Sequence, residues 1–369
     1  MRQLNPFIAV VMVLAFALAA EAGPVVVTDA AGHKTEFPQA VNRVICSGSG
    51  CLRLLTYLQA EPLAVAVDDI ESRTRKFDAR PYALANPQFK EMPTFGEFRG
   101  HDNPELILTL EPQPQVIFKT YAFSMGYNPV ELQDKTGIPV VALSYGDLGK
   151  LRPQLYQSMR TMGEVLGKGQ RAEEVIAFFE TQIKELEQRT TDIPEKDRPT
   201  VFIGGVAFKG PHGYQSTEPA YPPFQFIHAN NLAYDTGLSG KELRHSDVSK
   251  EKIIEWNPDY LFLDLYTLQL GDKASGLAEL RTDPAYRTLS AVKEGKVYGL
   301  LPYNGYSKNY GSILANAFYI GKLLYPDRFQ DVDPAAKADA IYSFLVGKPV
   351  FKTMNDIFGG LAYQPVPVN

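Results

Sequence analysis

The first half of the chain alternates between short apolar runs and segments whose apolar residues recur every three or four positions. The runs are typical of buried strands, and the recurring positions are typical of one face of a helix. We predict strands at 25–28, 41–45, 62–67, 115–118 and 139–143, and helices at 52–58, 103–110 and 129–136. Strands separated by helices form a parallel sheet with buried strands, so the first half is predicted to be an α/β lobe.

Two helical patterns follow in the centre of the chain. The first covers 151–166, and the second covers 172–186 after the break at Gly167-Lys168-Gly169. The polar residues Thr190-Thr191-Asp192 predict the end of the second helix. Both helices could belong to the core of one domain, or the longer second helix could join two lobes, because strand and helix signals begin again after Pro199.

The second half repeats the organisation of the first. Strands are predicted at 200–203, 260–265 and 296–301, and helices at 249–256 and 311–324. Asn103-Pro104-Glu105 and Ser249-Lys250-Glu251 open equivalent helices, and each helix precedes a strand. We therefore predict an α/β fold with a lobe at 23–167, a linker helix at 168–198 and a second lobe at 199–369. The part after Val346 is an extension of the second lobe.

The N-terminus has the pattern of a secretory signal peptide over 1–22. Arg2 supplies the positive charge, Phe7–Ala20 is almost entirely apolar, and Ala20-Glu21-Ala22 is a small-x-small cleavage site. The apolar run is short for a bilayer span, although an uncleaved N-terminal anchor is the alternative. No cysteine lies at the cleavage site, so we expect a periplasmic protein without a lipid anchor.

The composition excludes some partners. The 369 residues include 37 Lys and Arg against 42 Asp and Glu, for a net charge of −5. Because no basic excess is present to neutralise phosphates, nucleic acid is not an expected partner. Twenty tyrosines against one tryptophan favour a polar aromatic binding surface, since tyrosine combines an apolar ring with a hydroxyl group.

Cys46 and Cys51 form a close pair in Cys-Ser-Gly-Ser-Gly-Cys. In an oxidising compartment such a pair predicts a disulfide, with free thiols or metal and redox chemistry as alternatives. The intervening Ser47-Gly48-Ser49-Gly50 follows a predicted strand and could direct backbone N–H groups at an anion. It lacks the third glycine of a dinucleotide site and the lysine of a P-loop.

The sequence shows no catalytic motif and no metal-ligand spacing. The five histidines are scattered at 33, 101, 212, 228 and 245, and no Ser–His–Asp set or carboxylate pair is apparent. We therefore predict no enzymatic activity, no resident cofactor and no metal site.

Polar and aromatic residues follow the predicted strands in both halves. Open parallel sheets bind ligands at the carboxyl ends of their strands, so these residues are candidates for lining a cleft. An aromatic wall suits a planar ligand, and Arg99 would balance negative charge on that ligand. The candidates are Ser47, Ser49, Arg99, Tyr121, Tyr145, His212, Tyr214, Tyr221, Tyr303 and Tyr306.

Several ordered segments carry a family resemblance. They are Val27-Thr28-Asp29-Ala30-Ala31-Gly32, Asn103-Pro104-Glu105, Thr136-Gly137-Ile138-Pro139, Val248-Ser249-Lys250-Glu251, Leu289-Ser290-Ala291-Val292 and Leu324-Tyr325-Pro326. Together they resemble the periplasmic substrate-binding proteins of ABC importers for ferric siderophores, haem and cobalamin. The resemblance implies two α/β lobes joined by one long helix, with a ligand cleft between the lobes.

The resemblance also implies a ligand and partners. The expected ligand is an iron chelate, and the expected partners are a membrane permease and its ATPase subunits. The protein is expected to be a monomer that docks to the permease through Glu105 and Glu251. Haem is not expected, because 96–101 lacks the tyrosine of haem-binding members. The alternatives are a metal ion, an oxyanion such as molybdate, cobalamin, or an extracytoplasmic enzyme on the same fold.

Overall fold

The computed structural model describes residues 24–37, 41–121, 124–234 and 245–368. The predicted signal peptide lies outside these residues. Within these ranges, no helix is both long enough and apolar enough to cross a membrane.

A six-stranded sheet forms the first lobe, in the order β6-β5-β4-β3-β7-β8. All neighbouring strands are parallel except β5 and β6, and a separate antiparallel hairpin of β1 and β2 precedes the sheet. The strands are β1 Val25–Thr28, β2 Lys34–Phe37, β3 Val44–Ser47, β4 Ala64–Asp68, β5 Thr94–Glu97, β6 His101–Asp102, β7 Val116–Thr120 and β8 Val140–Leu143. The parallel sheet expected for this half is confirmed.

Helices cover this sheet, and side chains cap the start of two of them, α4 and α5. Asn103 Oδ1 accepts from Leu106 N at 3.0 Å, and Asn128 and Glu131 form a reciprocal capping box. Such caps satisfy N–H groups that a helix leaves unpaired at its start. The helices are α1 Cys51–Tyr57, α2 Asp69–Ser72, α3 Pro81–Ala85, α4 Pro104–Leu108, α5 Pro129–Thr136 and α6 Arg152–Val165, with short 3-10 turns at Glu61–Leu63 and Pro87–Glu91.

A 22-residue helix, α7, follows at Gly169–Thr190. Its apolar stripe, which includes Val175, Phe179 and Ile183, is buried. The helix ends at Thr190, as the polar residues Thr190-Thr191-Asp192 predict, and the rest of the linker segment 168–198 contains a 3-10 turn at Glu195–Asp197 that leads into the second lobe. Pro194 has no N–H group, so the helix could not continue through this position.

The second lobe contains a four-stranded parallel sheet in the order β11-β9-β13-β14, and a short antiparallel pair of β10 and β12. The strands are β9 Thr200–Gly204, β10 Ser216–Thr217, β11 Asn230–Asn231, β12 Ser246–Asp247, β13 Tyr260–Asp264 and β14 Val297–Leu300. The helices are α8 Pro222–Phe226, α9 Lys250–Trp256, α10 Gly276–Thr282, α11 Ser290–Lys293, α12 Tyr310–Leu324, α13 Pro334–Val346 and α14 Phe351–Ile357, with 3-10 turns at Leu265–Leu270, Tyr286–Thr288 and Pro326–Arg328.

The C-terminal segment contacts both lobes. Helix α13 packs against α12 of the second lobe and against α1 and α3 of the first. Beyond Val346, Lys348 donates to the carbonyl of Ala85, and Val366 N donates to Val297 O on the edge of the second sheet at 2.8 Å. The extension assigned to the second lobe therefore also ties the two lobes together.

Candidate functional site: the cleft between the lobes

A cavity of about 610 Å³ lies between the lobes. The first lobe supplies residues that follow the carboxyl ends of β3, β4 and β7, including Ser49, Ile70 and Tyr121. The second lobe supplies residues that follow β9, β13 and β14. The cavity thus occupies the crevice where open parallel sheets bind ligands.

The charges in the cleft are mostly positive. Among the described residues, four cationic side chains line the cavity, against one carboxylate, that of Glu218; the four are Arg75, Arg99, Lys209 and Lys308. Lys308 Nζ lies 3.8 Å from Glu218 Oε1, so this pair is locally balanced. The remaining three cations favour an anionic ligand.

Aromatic rings form much of the remaining wall. Phe98, Tyr121, Phe208, Tyr266 and Tyr306 line the cavity, and they come from both lobes. The guanidinium of Arg99 lies 5.1 Å from the ring centre of Phe98, within cation–π range. The wall therefore offers flat apolar surfaces beside positive charge, which is suited to a large anion with aromatic or planar groups.

Left-handed backbone conformations are concentrated in the cleft. Among the described residues, nine that are not glycine have a positive φ, and five of these line the cavity: Arg99 (64°), Tyr121 (54°), Lys209 (57°), Tyr306 (49°) and Ser307 (69°). Such conformations cost about 1–3 kcal/mol each and are maintained only by surrounding contacts. This clustering marks the cleft as a functional site.

Tyr306 links the two lobes across the cleft. Its hydroxyl donates to Asp68 Oδ2 of the first lobe and accepts from the backbone N–H of Arg99 at 2.9 Å. Burial, together with the nearby carboxyl group of Glu71, raises the pKa of Asp68 to about 8. The second lobe therefore fixes the backbone that presents Arg99.

A buried arginine holds the loop that carries Tyr306. Arg53 of α1 is fully buried, and it donates to the carbonyls of Gly305 (3.0 Å), Tyr306 (3.2 Å) and Lys308 (2.8 Å). Its guanidinium also lies 5.0 Å from the ring centre of Tyr82. One first-lobe side chain thus fixes the backbone of a second-lobe loop that lines the cleft.

These features can be compared with known proteins. Residues 44–303 match the periplasmic binding protein family. The chain belongs to this family. Its α/β architecture of two lobes with parallel sheets is the architecture expected from the sequence resemblance.

Two curated relatives of this chain are named as binding proteins. The molybdate-binding protein MolA of Haemophilus influenzae is 27% identical over 335 residues, covering 84% of this chain and 87% of that protein. The iron-uptake system-binding protein of Bacillus subtilis is 27% identical over 217 residues, covering 57% of this chain and 62% of that protein. The names of these two relatives refer to different ligands.

Solved structures show the same fold. MolA bound to molybdate superposes with a TM-score of 0.66 at 22% identity, covering 88% of this chain and 98% of that chain. A periplasmic solute-binding protein from Veillonella parvula gives a TM-score of 0.68 at 19% identity, covering 93% and 100% of the two chains.

Only some of the predicted cleft residues of the binding protein line the cavity. Ser49, Arg99, Tyr121 and Tyr306 line the cavity. Ser47 and Tyr145 lie buried behind the wall: the Ser47 hydroxyl accepts from Lys119 Nζ at 3.1 Å, and the Tyr145 ring stacks on Tyr121 at 6.0 Å. His212 directly follows the lining residue Pro211 but is not itself part of the wall.

The assignment of Tyr214, Tyr221 and Tyr303 to the cleft wall was wrong. All three are completely buried in the second lobe. The Tyr214 ring packs edge-on against Phe202 at 5.7 Å, and Tyr221 and Tyr303 pack edge-on against each other at 5.3 Å. A tyrosine just beyond a strand can turn into the core as readily as into the crevice, and the sequence pattern does not distinguish these directions.

The predicted disulfide is also absent from the structure. Cys46 and Cys51 are buried free thiols, and Cys51 Sγ donates to the carbonyl of Phe118 at 3.4 Å. Burial raises the pKa of the Cys51 thiol, and its contact with Cys46 raises it further. Both cysteines pack as small apolar side chains behind the Gly/Ser loop.

Sequence reasoning missed several cleft residues, notably Arg75, Phe98, Tyr266 and Lys308. The sequence did indicate Tyr266 as a candidate cleft residue, since it follows a correctly predicted strand by two residues. Phe98 and Arg75 lie in irregular segments after β5 and α2, where no periodic pattern points to a site.

Glu105 and Glu251 occupy matching positions in the two lobes. Each lies in the first turn of its helix, α4 or α9, and each is exposed. In the described part of the chain, neither carboxylate has a hydrogen-bond or ion-pair partner. Both are therefore accessible to groups on another protein.

The stability of the second lobe should depend on the protonation of Asp264. This side chain is fully buried at the end of β13, where Oδ1 accepts from Tyr266 N at 2.9 Å. Burial raises its pKa to about 8, against about 4 in an unfolded chain. Between these pH values the folded state therefore holds a proton on Asp264 that the unfolded chain has lost. The contribution of this proton to the free energy of unfolding is fully present below about pH 4 and is lost as the pH rises to about 8.

We expect Asp264→Asn to reduce this pH dependence by up to about 1.4 kcal/mol per pH unit. Urea unfolding of wild type and variant between pH 5 and 8 measures the two slopes. Identical slopes would show that the Asp264 carboxyl group does not titrate in this range.

Proposed function

We propose that this chain is the periplasmic solute-binding protein of an ABC importer, and that it captures an anionic iron chelate of the siderophore type in the cleft. The main supporting observation is the excess of cationic side chains beside aromatic rings in the interlobe cavity. Aromatic faces can pack against catecholate rings or other planar groups, and the arginine and lysine side chains can balance the negative charge of the ferric complex.

The size of the cavity supports a chelate over a small ion. A volume of about 610 Å³ lies within the range of 300–1,000 Å³ that is usual for sites of drug-sized ligands. A tetrahedral oxyanion would leave most of this space to water. The name of the Bacillus subtilis relative, an iron-uptake system-binding protein, also supports an iron-containing ligand.

An oxyanion such as molybdate is the second candidate ligand. The similarity to MolA, whose name gives molybdate as its ligand, supports it, as does the positive charge of the cleft. An oxyanion would need few contacts with the aromatic wall. Removing an aromatic ring such as that of Tyr306 should therefore weaken the binding of a chelate but not the binding of an oxyanion.

A titration series tests the proposal. Purified protein would be titrated calorimetrically with ferric tricatecholate, ferric hydroxamate, molybdate, cobalamin and haem. We expect an anionic ferric chelate to bind most tightly, and its affinity to fall when Tyr306 is replaced by Ala. Molybdate binding that is tighter than that of any chelate, with no effect of Tyr306→Ala, would instead favour the oxyanion.

Arg99 should contribute to this affinity through its charge. We expect Arg99→Ala to weaken binding of an anionic chelate by about 1–3 kcal/mol, provided that the complex desolvates the charge pair. Calorimetry of wild type and variant measures the difference. Arg43→Ala, at an arginine that is half-buried like Arg99 but lies outside the cavity, is the matched control. Equal affinity of the Arg99 and Arg43 variants would remove Arg99 from the ligand contacts.

A further inference from the structure

Two histidines and an aspartate converge beside the cleft in the second lobe. The ligand atoms of His212, His245 and Asp247 all lie within 4.8 Å of one another. His212 directly follows Pro211, which lines the cavity. The long sequence separation between the two histidines hid this cluster from spacing arguments.

The local backbone explains how the three side chains meet. Asp247 belongs to β12, where it pairs with Ser216 of β10, and His245 precedes it by two residues. Residues two apart in extended chain point to the same side. The loop that carries His212 is fixed, because the Thr267 hydroxyl donates to the His212 carbonyl at 2.6 Å.

The hydrogen bonds of His212 define which nitrogen can bind an ion. Its Nε2 lies 2.7 Å from the carbonyl oxygen of Phe208. A carbonyl only accepts, so Nε2 carries the proton and Nδ1 keeps a lone pair. Histidines that bind metals commonly donate their other N–H to a backbone carbonyl in this way.

The hydrogen bonds of His245 likewise define which of its nitrogens can bind an ion. The Ser216 hydroxyl donates to the carbonyl of Val206 at 2.7 Å, so it accepts from His245 Nε2 at 3.0 Å. His245 Nδ1 then has a lone pair and no hydrogen-bond partner among the described residues. Burial lowers the pKa of His245, which favours the neutral ring that metal binding requires.

We propose that His212, His245 and Asp247 form a binding site for one divalent transition-metal ion, such as Zn²⁺, at the edge of the cleft. Two imidazoles and one carboxylate are a common ligand set for such ions and leave coordination positions open for water. One ligand atom from each of the three residues lies within 4.8 Å of the other two, so side-chain rotations suffice to bring three donors to about 2.1 Å from one ion. A bound ion would tie the loop that carries Phe208 and Lys209 to β12.

The test is a Zn²⁺ titration of protein without a histidine tag, after treatment with EDTA and dialysis. We expect saturable binding of one ion per chain, and a loss of affinity of about tenfold or more in His212→Ala and in His245→Ala. His33→Ala is the matched control, since His33 also lies near an aspartate, with 3.7 Å between Nδ1 and Asp29 Oδ2, but has no second histidine.

Asp247→Asn provides a second variant at an exposed position, where folding should be unaffected; its side chain is 66% exposed. It should also weaken Zn²⁺ binding. Absence of a saturable site in wild type, or equal Zn²⁺ affinity in wild type and all three variants, would overturn the proposal. Chelate titrations of the EDTA-treated protein report separately on the cleft, so failure of the metal site and failure of the proposed function are distinguishable.

Discussion

Replacing Arg53 with alanine is expected to lower the free energy of unfolding by about 3–5 kcal/mol, since each buried acceptor that is left without its donor costs about 1–3 kcal/mol. The fully buried guanidinium donates to three carbonyls of the loop 305–308. The substitution removes these donors and leaves the carbonyls in a region from which water is excluded. Urea unfolding at pH 7 measures the change.

Arg160→Ala is the matched control, because Arg160 lies on α6 of the same lobe and pairs with Glu173 at the surface. Exposed ion pairs contribute little to the free energy of unfolding, so the Arg160→Ala variant should be nearly as stable as wild type. A similar stability of the Arg53 and Arg160 variants would contradict the role given to the buried guanidinium. Ligand affinity of the Arg53 variant should also fall, since the loop 305–308 carries Tyr306, Ser307 and Lys308 into the cleft.

Replacing Glu105 and Glu251 together with alanine is expected to abolish most ligand uptake while leaving ligand affinity and stability unchanged. Both carboxylates are exposed in the first turns of equivalent helices. Exposed carboxylates contribute little to folding, so an effect on uptake would arise from contact with the permease. Uptake of the labelled ligand in cells that depend on this protein measures the result.

The control for this variant is Glu164→Ala with Glu255→Ala, which makes the same change in net charge at exposed positions on α6 and α9. We expect the control to support normal uptake. Uptake by the Glu105/Glu251 variant that matches the control would exclude the docking role, whatever the ligand is.

Much of the fold could be predicted because the strongest sequence signals are local. The helix Pro129–Thr136 has the predicted bounds, since Asn128 caps its start and Gly137 ends it in a left-handed conformation. The strands at Thr200–Gly204 and Tyr260–Asp264 also match their predictions to within one residue, because both are continuous buried apolar runs bounded by polar residues.

The parts that could not be predicted depend on contacts distant in sequence. β11 is only the two residues Asn230–Asn231, which have no strand pattern and pair with β9 because the fold brings them there. The hydrogen bond from Lys348 to the carbonyl of Ala85 likewise has no local signal, so the extension was assigned to one lobe.

The placement of the candidate site residues also depends on contacts distant in sequence. Arg99 and Tyr306 were recognised as candidates, but their joint placement through Asp68 requires both lobes. Tyr214, Tyr221 and Tyr303 satisfy the same sequence criterion as Tyr306 and are nevertheless buried. The pattern after a strand predicts that a residue lies near the crevice, but the direction of its side chain depends on tertiary packing.

The central claim is that an anionic metal chelate binds between the lobes, and a crystal structure with the tightest-binding compound of the titration series tests it most directly. We expect a ferric chelate in the cavity, in contact with Arg99 of the first lobe and with Tyr306 or Lys209 of the second. A ligand bound instead in the groove around Arg198 and Tyr234 on the second lobe, or a cleft that holds none of the compounds, would contradict it.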